Sequence, residues 1–291
     1  MAGALFTVMA PVLICVAIGF AWDRGGKGFD VDLVTVLITN VGAPCLVFHT
    51  LANLTVSPEA FGVMVGAALA VLAVNVPLAA GVLALARLPQ RTFLPTLVFA
   101  NTGNVGLPLS LLAFGEAGLG LAIGVFAVHS VAMFIAGPAL AAGTLSWRAL
   151  LRVPVLYALP PALFFMVTGI APPGWINATT GLLGDVTIPL MLIALGVSLS
   201  RLKVTSAGRS LALSLARLGI GFGVGVGVAW LLGLDGMARG VLILQATMPA
   251  AVFTYLFAQR YDRSPQEVAG VVVMSTVIGF ALMPLLLLYV L

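Results

Sequence analysis

The residues best suited to chemistry lie in one stretch, Phe99-Ala-Asn-Thr-Gly-Asn-Val-Gly-Leu-Pro108, where two asparagines, a threonine, two glycines and a proline interrupt an apolar run. Pro108 removes a backbone N–H and clashes with the preceding turn, and Gly103 and Gly106 weaken a helix further. A break is expected there, and backbone groups freed at membrane depth are tolerated only against protein or a water-filled cavity. Asn101, Thr102 and Asn104 would offer amides and a hydroxyl to a small polar guest. The plainer alternative is a proline kink packed against its neighbours. A second stretch, Gln245-Ala-Thr-Met-Pro249, carries an amide, a hydroxyl and a proline but no glycine. Pro108 and Pro249 each suit the first turn of an outgoing half-helix, whose positive dipole end would face the midplane and favour an anion. The candidate substrate-binding residues are therefore Asn101, Thr102, Asn104, Pro108, Gln245, Thr247 and Pro249.

Asp185 and Arg217 are the formal charges well inside apolar runs, and each costs about 2.5–3.5 kcal/mol at a helix centre on insertion scales. Asp185 reads as a buried proton or cation site, or as a group that caps the bend at Pro189. Arg217 is expected to snorkel to the interface on its long stem, with substrate contact as the alternative. His129, beside Ser130, can relay protons because its unperturbed pKa is about 6.5; a hydrogen-bonded packing histidine is the other reading. His49 reads as interfacial. Asp185 and His129 are the candidates for H⁺ or Na⁺ coupling, with facilitated flow without a coupling ion as the alternative, and no cofactor or metal site is expected.

Enzyme signals are poor. The loop Gly25-Gly26-Lys27-Gly28 lacks the earlier glycine and the following Ser or Thr of a phosphate-binding loop, and neither HExxH nor GxSxG occurs. An intramembrane enzyme would need His129, Ser130 and Asp185 to meet. Cys15 and Cys45 sit in apolar runs and read as packing residues, with no disulfide framework.

The elements that must hold these groups follow from composition. With 62% hydrophobic and 8% charged residues, the chain is far more apolar than a soluble domain, which is about 45–50% apolar and about 25% charged. Apolar runs of about 20 residues, enough to cross roughly 30 Å of hydrocarbon, fall near 4–22, 31–51, 60–86, 91–113, 117–142, 154–170, 175–199, 208–232, 236–258 and 266–290. The run at 4–22 has no preceding Lys or Arg and is followed by Asp23 and Arg24, so it reads as a span and not as a signal peptide. Of 13 Lys and Arg residues, all but Arg217 and Arg239 fall in loops after odd-numbered spans. Short cytoplasmic loops are the ones enriched in positive charge, so both termini are expected outside the cytoplasm. The positive charges are too scattered for nucleic acid.

Asn40-Val-Gly-Ala-Pro44 answers Asp185-Val-Thr-Ile-Pro189 at an offset of 145 residues, and Asn104-Val-Gly-Leu-Pro108 answers Gln245-Ala-Thr-Met-Pro249 at 141. Two halves of five spans insert with opposite orientation, the inverted-repeat plan of many secondary transporters. The fold expected is an all-α polytopic membrane protein of ten transmembrane helices, two inverted five-helix repeats with broken, crossing fourth and ninth helices. The halves are 1–143 and 154–291, joined by a short cytoplasmic linker at 144–153. Glycines 219, 221, 223, 225 and 227 form overlapping GxxxG patterns, read as close packing within one subunit with a homodimer face as the alternative.

The chain resembles the auxin efflux carrier family, in particular its compact bacterial members. The resemblance runs through Asn101-Thr-Gly-Asn-Val-Gly-Leu-Pro108 followed by Phe114-Gly115, through Asp185-Val-Thr-Ile-Pro189 with Gly196, and through Gln245-Ala-Thr-Met-Pro249 followed by Phe257-Ala258 and Tyr261. It implies two inverted five-helix repeats, with Pro108 and Pro249 at crossing helix breaks. It also implies a scaffold of spans 1, 2, 6 and 7, a moving domain from the rest, and a small organic acid as substrate. The long cytoplasmic loop of plant members is replaced here by about ten residues, so regulation through that loop is not expected. The function expected is an alternating-access secondary transporter, operating in efflux, for a mono- or dicarboxylate in the cell (inner) membrane. A channel-like or sensory protein on the same scaffold is the alternative. Expected partners are the anion and membrane lipid, with a homodimer as the alternative to a single subunit and no nucleic acid.

Overall fold

The computed structural model describes residues 2–53, 57–142, 153–202 and 204–291. Apart from Val153, the expected linker at 144–153, with Arg148 and Arg152, lies outside the described residues, as does Lys203. The described residues form an all-helical protein with no strand, and seven of the helices are long and apolar enough to cross a membrane. Helix α1 (Ala2–Arg24) is followed by α2 (Val31–Leu37), a π turn at Ile38–Gly42 and α3 (Ala43–Ala52), which run on as one apolar stretch. Asp30 caps α2 through Leu33 N at 2.9 Å, satisfying one of the donors a helix start leaves open. Helix α4 (Pro58–Leu85) begins at a similar cap, Ser57, with proline at its first position.

The expected break between 91 and 113 is present. Helix α5 (Gln90–Val98) stops, Phe99 is extended, Asn101 heads a π turn over Thr102–Gly106, and α6 (Leu107–Ala142) starts with Pro108 in its first turn. The 36 residues of α6 are not one rod. Gly115 has φ 69° and ψ −165°, a conformation open mainly to glycine, and it divides α6 into two helical segments at the position expected for a loop between spans.

The second half holds α7 (Val155–Thr168), α8 (Gly174–Arg201), α9 (Ala207–Leu231), α10 (Gly236–Thr247), α11 (Phe253–Arg260) and α12 (Pro265–Val290). Helix α7 is apolar but only 14 residues long. Between α10 and α11 the chain is again unwound, but Pro249 lies within the break and α11 begins only at Phe253. Pro249 was expected in the first turn of the outgoing half-helix. The extended backbone around it pairs with the other break instead, which delays the helix start.

Helices α1, α3, α7 and α8 pack together, and α4, α5, α6, α9, α10 and α12 form a second group. The α1–α8 crossing is close because Gly19 lies on the Ile193 carbonyl and Gly196 on the Val16 carbonyl, where any Cβ would collide with backbone. Small residues allow such backbone approach in a membrane, where lipid supplies no hydrophobic drive. Cys15 and Cys45 are both free thiols.

Candidate functional site at the helix crossing

The two breaks meet. Asn101 N donates to Pro249 O at 2.7 Å and Ala251 N donates to Phe99 O at 3.0 Å, which makes a one-residue antiparallel bridge between Ala100 and Ala250. Four of the backbone groups that the proline breaks remove from a helix are thus paired across the breaks, as a buried polar backbone requires. Asn101 also organises its own turn, because its Oδ1 accepts from Asn104 N at 3.2 Å and its carbonyl accepts from Gly106 N at 3.1 Å.

Beside this bridge lies a small cavity of about 60 Å³, whose polar lining includes Asn101, Thr102, Asn104, His129 and Ser130. Phe126, Met133 and Phe134 supply apolar walls. Few polar groups on a largely apolar wall are typical of a small-molecule site. Two lining atoms are buried without a protein partner, Asn101 Nδ2 and His129 Nε2. His129 Nδ1 lies 3.2 Å from Val125 O. A carbonyl can only accept, so in the neutral ring Nδ1 carries the proton and Nε2 is a bare acceptor.

A second, larger cavity of about 250 Å³ shares Ile38, Thr39, Asn104 and Phe253 with the first and continues past Ser198 and Gln259 to Arg201. Arg201 is anchored by Asp23 at 2.7 Å and by the Phe29 carbonyl at 2.8 Å, so its charge is held at the rim.

Of the predicted substrate residues, Asn101, Thr102 and Asn104 line the cavity. Gln245, Thr247, Pro108 and Pro249 do not. Gln245 is fully buried, donates through Nε2 to Ser110 Oγ at 3.1 Å and packs its amide against Gly106. Thr247 returns its hydroxyl to Ile243 O in its own helix at 2.7 Å. Pro108 and Pro249 are buried, and Pro249 contributes its carbonyl to the bridge.

Of the two coupling candidates, His129 lies in the cavity and Asp185 does not. Asp185, expected as a buried carboxylate, is exposed on α8 and lines a separate recess with His49 and Glu116. The constellation of His129, Ser130 and Asp185 that an enzyme would need is therefore not assembled. Arg217 does not snorkel. It is 0% exposed and donates from Nη1 to Leu97 O at 3.1 Å and from Nη2 to Ala246 O at 2.8 Å. Thr39, Phe126, Ser110 and Glu116 carried no sequence signal beyond a polar or aromatic residue in an apolar run.

A family model described as "Membrane transport protein" matches residues 139–289, just over half of the chain. Two curated relatives are similar. An uncharacterized transporter of Methanothermobacter thermautotrophicus is 25% identical over 64% of this chain and 63% of its own length. Another, from Methanocaldococcus jannaschii, is 24% identical over 62% of this chain and 61% of its own. In each case the match spans a little less than two thirds of the relative. The chain belongs to the membrane transport protein family, in keeping with the resemblance read from its proline motifs.

Proposed function

We propose that this member of the membrane transport protein family is a secondary transporter that moves a small organic anion, a mono- or dicarboxylate, together with a proton by alternating access. The observation that carries the reading is the pair of unpartnered buried atoms on one cavity wall, the donor Asn101 Nδ2 and the acceptor His129 Nε2. An ionised carboxylate only accepts hydrogen bonds. It takes one from Asn101, and a second from His129 once a proton occupies Nε2, so anion and proton enter together. His129 is the coupling group in this scheme and Asp185 is not. Net direction follows the two gradients, outward when the acid is more concentrated inside.

The architecture we infer is ten spans in two inverted five-helix halves. In support, α6 is divided at Gly115 and each proline break joins two short helices into one crossing. Packing also corresponds between the halves: α1 packs on α8 as α7 packs on α3, each contact crossing between halves, and α4 packs on α5 as α9 packs on α10, each within its own half. Gly42 and Thr187, equivalent at the offset of 145, touch each other, as residues on a pseudo-two-fold axis do. Because the wider cavity opens beside Arg201, on the side where Lys and Arg collect, this state faces the cytoplasm of the cell membrane, with both termini outside.

The test is reconstitution. Malonate, malate, succinate or lactate should raise the melting temperature of the purified protein and support counterflow in proteoliposomes, and His129→Gln should flatten the pH dependence of that flux. Stabilisation by organic cations and not by any carboxylate would overturn the anion reading. Conductance without counterflow would make the protein a channel. A single cysteine at Ser264, in a Cys15→Ala and Cys45→Ala background, should resist an impermeant external thiol reagent in intact cells; labelling would reverse the orientation.

A further inference from the structure

We propose that Arg217 is the specificity-determining charge of the crossing: its guanidinium caps the C-terminal ends of both incoming half-helices, leaves the positive ends of the outgoing ones uncompensated, and so selects an anion. The inference deepens the carrier reading above and rests on it.

The argument begins with the hydrogen bonds that the breaks displace. In a continuous helix Leu97 O would accept from Asn101 N, four residues on, and Ala246 O would accept from Ala250 N. Neither does so here. Asn101 N donates to Pro249 O, and Ala250 N donates to Ser275 Oγ at 3.1 Å. Each break frees several carbonyls, and Arg217 takes one from each, Leu97 O through Nη1 and Ala246 O through Nη2. A planar fork with several fixed donors can reach two acceptors at once, which a lysine ammonium on a flexible stem does poorly.

Position supports the assignment. Arg217 sits on α9 one turn before Gly221, where a Cβ would collide with the Ala246 carbonyl, and two turns before Gly225, which lies against Ile243 and Ala246. The glycines let α9 approach α10 closely enough for the guanidinium to reach the helix end. Gly219, Gly223 and Gly227 have no atom in that position. Only one face of the glycine stripe serves this contact.

Electrostatics supply the consequence. Each helix end carries roughly half an elementary charge, negative at the C-terminus and positive at the N-terminus. One arginine therefore offsets the negative ends of α5 and α10 together. The two described ion pairs, Arg201 with Asp23 and Arg209 with Glu267, do not involve Arg217, so its compensation comes from those helix ends. What remains at the crossing is the positive ends of the turn leading into α6 and of α11, beside the cavity. A charged group this deep is expensive without such compensation, which gives the protein a reason to keep it where two dipoles converge.

The experiment uses the full-length protein in detergent and measures binding of malonate and of its uncharged diamide, malonamide, by isothermal titration alongside a melting curve. In the native protein malonate should bind at least tenfold more tightly than malonamide. Arg217→Met should remove most of that preference while leaving the diamide affinity within about threefold. Arg217→Lys, which keeps the charge and loses one carbonyl, should retain the preference at a lower melting temperature. Equal binding of the two probes by the native protein, an undiminished preference in Arg217→Met, or loss of the preference in folded Arg217→Lys would each overturn the assignment. If the methionine variant does not fold, the native and lysine comparisons still decide it. Failure of every carboxylate in the stabilisation panel would instead remove the carrier reading on which the inference rests.

Discussion

At the first break, Asn101 and Asn104 turn toward a cavity and Asn101 leaves an amide nitrogen without a protein partner. At the second, Gln245 bonds Ser110, Thr247 bonds its own helix, and Ala250 N is taken by Ser275. The two stretches match in sequence, an amide followed four residues later by proline, yet one lines an open space and the other braces it. The difference has a local cause. The first break holds glycines at 103 and 106 and can wind into a π turn whose polar side chains point off the helix axis. The second has no glycine, so α10 stays helical through Thr247 and its polar side chains remain on helix faces already covered by α6 and α9. A repeated motif therefore preserves the crossing of the backbones without preserving the task of the side chains.

The bracing role is the part most exposed to disproof. Gln245→Ala removes a fully buried side chain and its bond to Ser110, and we expect a loss of roughly 2–5 kcal/mol in stability, the range for long buried side chains cut to alanine. A melting temperature unchanged in detergent would show that Gln245 does not brace. Next comes the contact behind the second break. Gly221→Ala drives a methyl into the Ala246 carbonyl and should cost about 1–3 kcal/mol as an overpacked site. Gly223→Ala, with nothing near its Cβ, should be neutral or stabilising by up to about 1 kcal/mol. Equal effects at the two glycines would mean that the stripe does not distinguish its faces.

A smaller effect is expected at the first break. Asn101→Ala should lower carboxylate affinity about tenfold, near 1.4 kcal/mol, while loss of its cap on Asn104 costs stability of only about 1 kcal/mol. If it destabilises as much as Gln245→Ala, the contrast between the breaks collapses. The smallest change is expected for Thr247→Val, whose hydroxyl serves only its own helix. Stability should move by less than about 0.5 kcal/mol and flux should be unaltered; a marked transport defect would return Thr247 to the substrate site.

Much of this architecture could be read before any coordinates. Pro108 with Gly103 and Gly106 marks a break that occurs where expected, and Asn101, Thr102 and Asn104, which the sequence offers as substrate-binding groups, all line the cavity. Pro249 marked its break too, but not where the next helix begins, since that depends on the bridge to Phe99 and Asn101. Arg217 lies buried where its place in the sequence points to the interface. Its long stem makes the interface reachable on paper, and nothing local reveals that two helix ends from elsewhere in the chain converge on its guanidinium. Asp185 failed similarly, because depth in a span does not say which way a side chain faces.

What the sequence by itself determined is what depends on local chemistry: an all-helical, lipid-embedded chain, the places where proline and glycine interrupt it, and the polar groups available there. Those follow from propensity, from the cost of burying backbone and charge, and from the distribution of Lys and Arg. Tertiary structure alone decided which of those groups share a space. It placed His129 with Asn101 on one cavity, sent Gln245 to Ser110, moved Asp185 to a separate recess and gave Arg217 two carbonyls 149 residues apart in the chain. Such pairings arise from how helix faces are turned toward one another, and an apolar helix with small residues on several sides is compatible with more than one turn until its neighbours are in place.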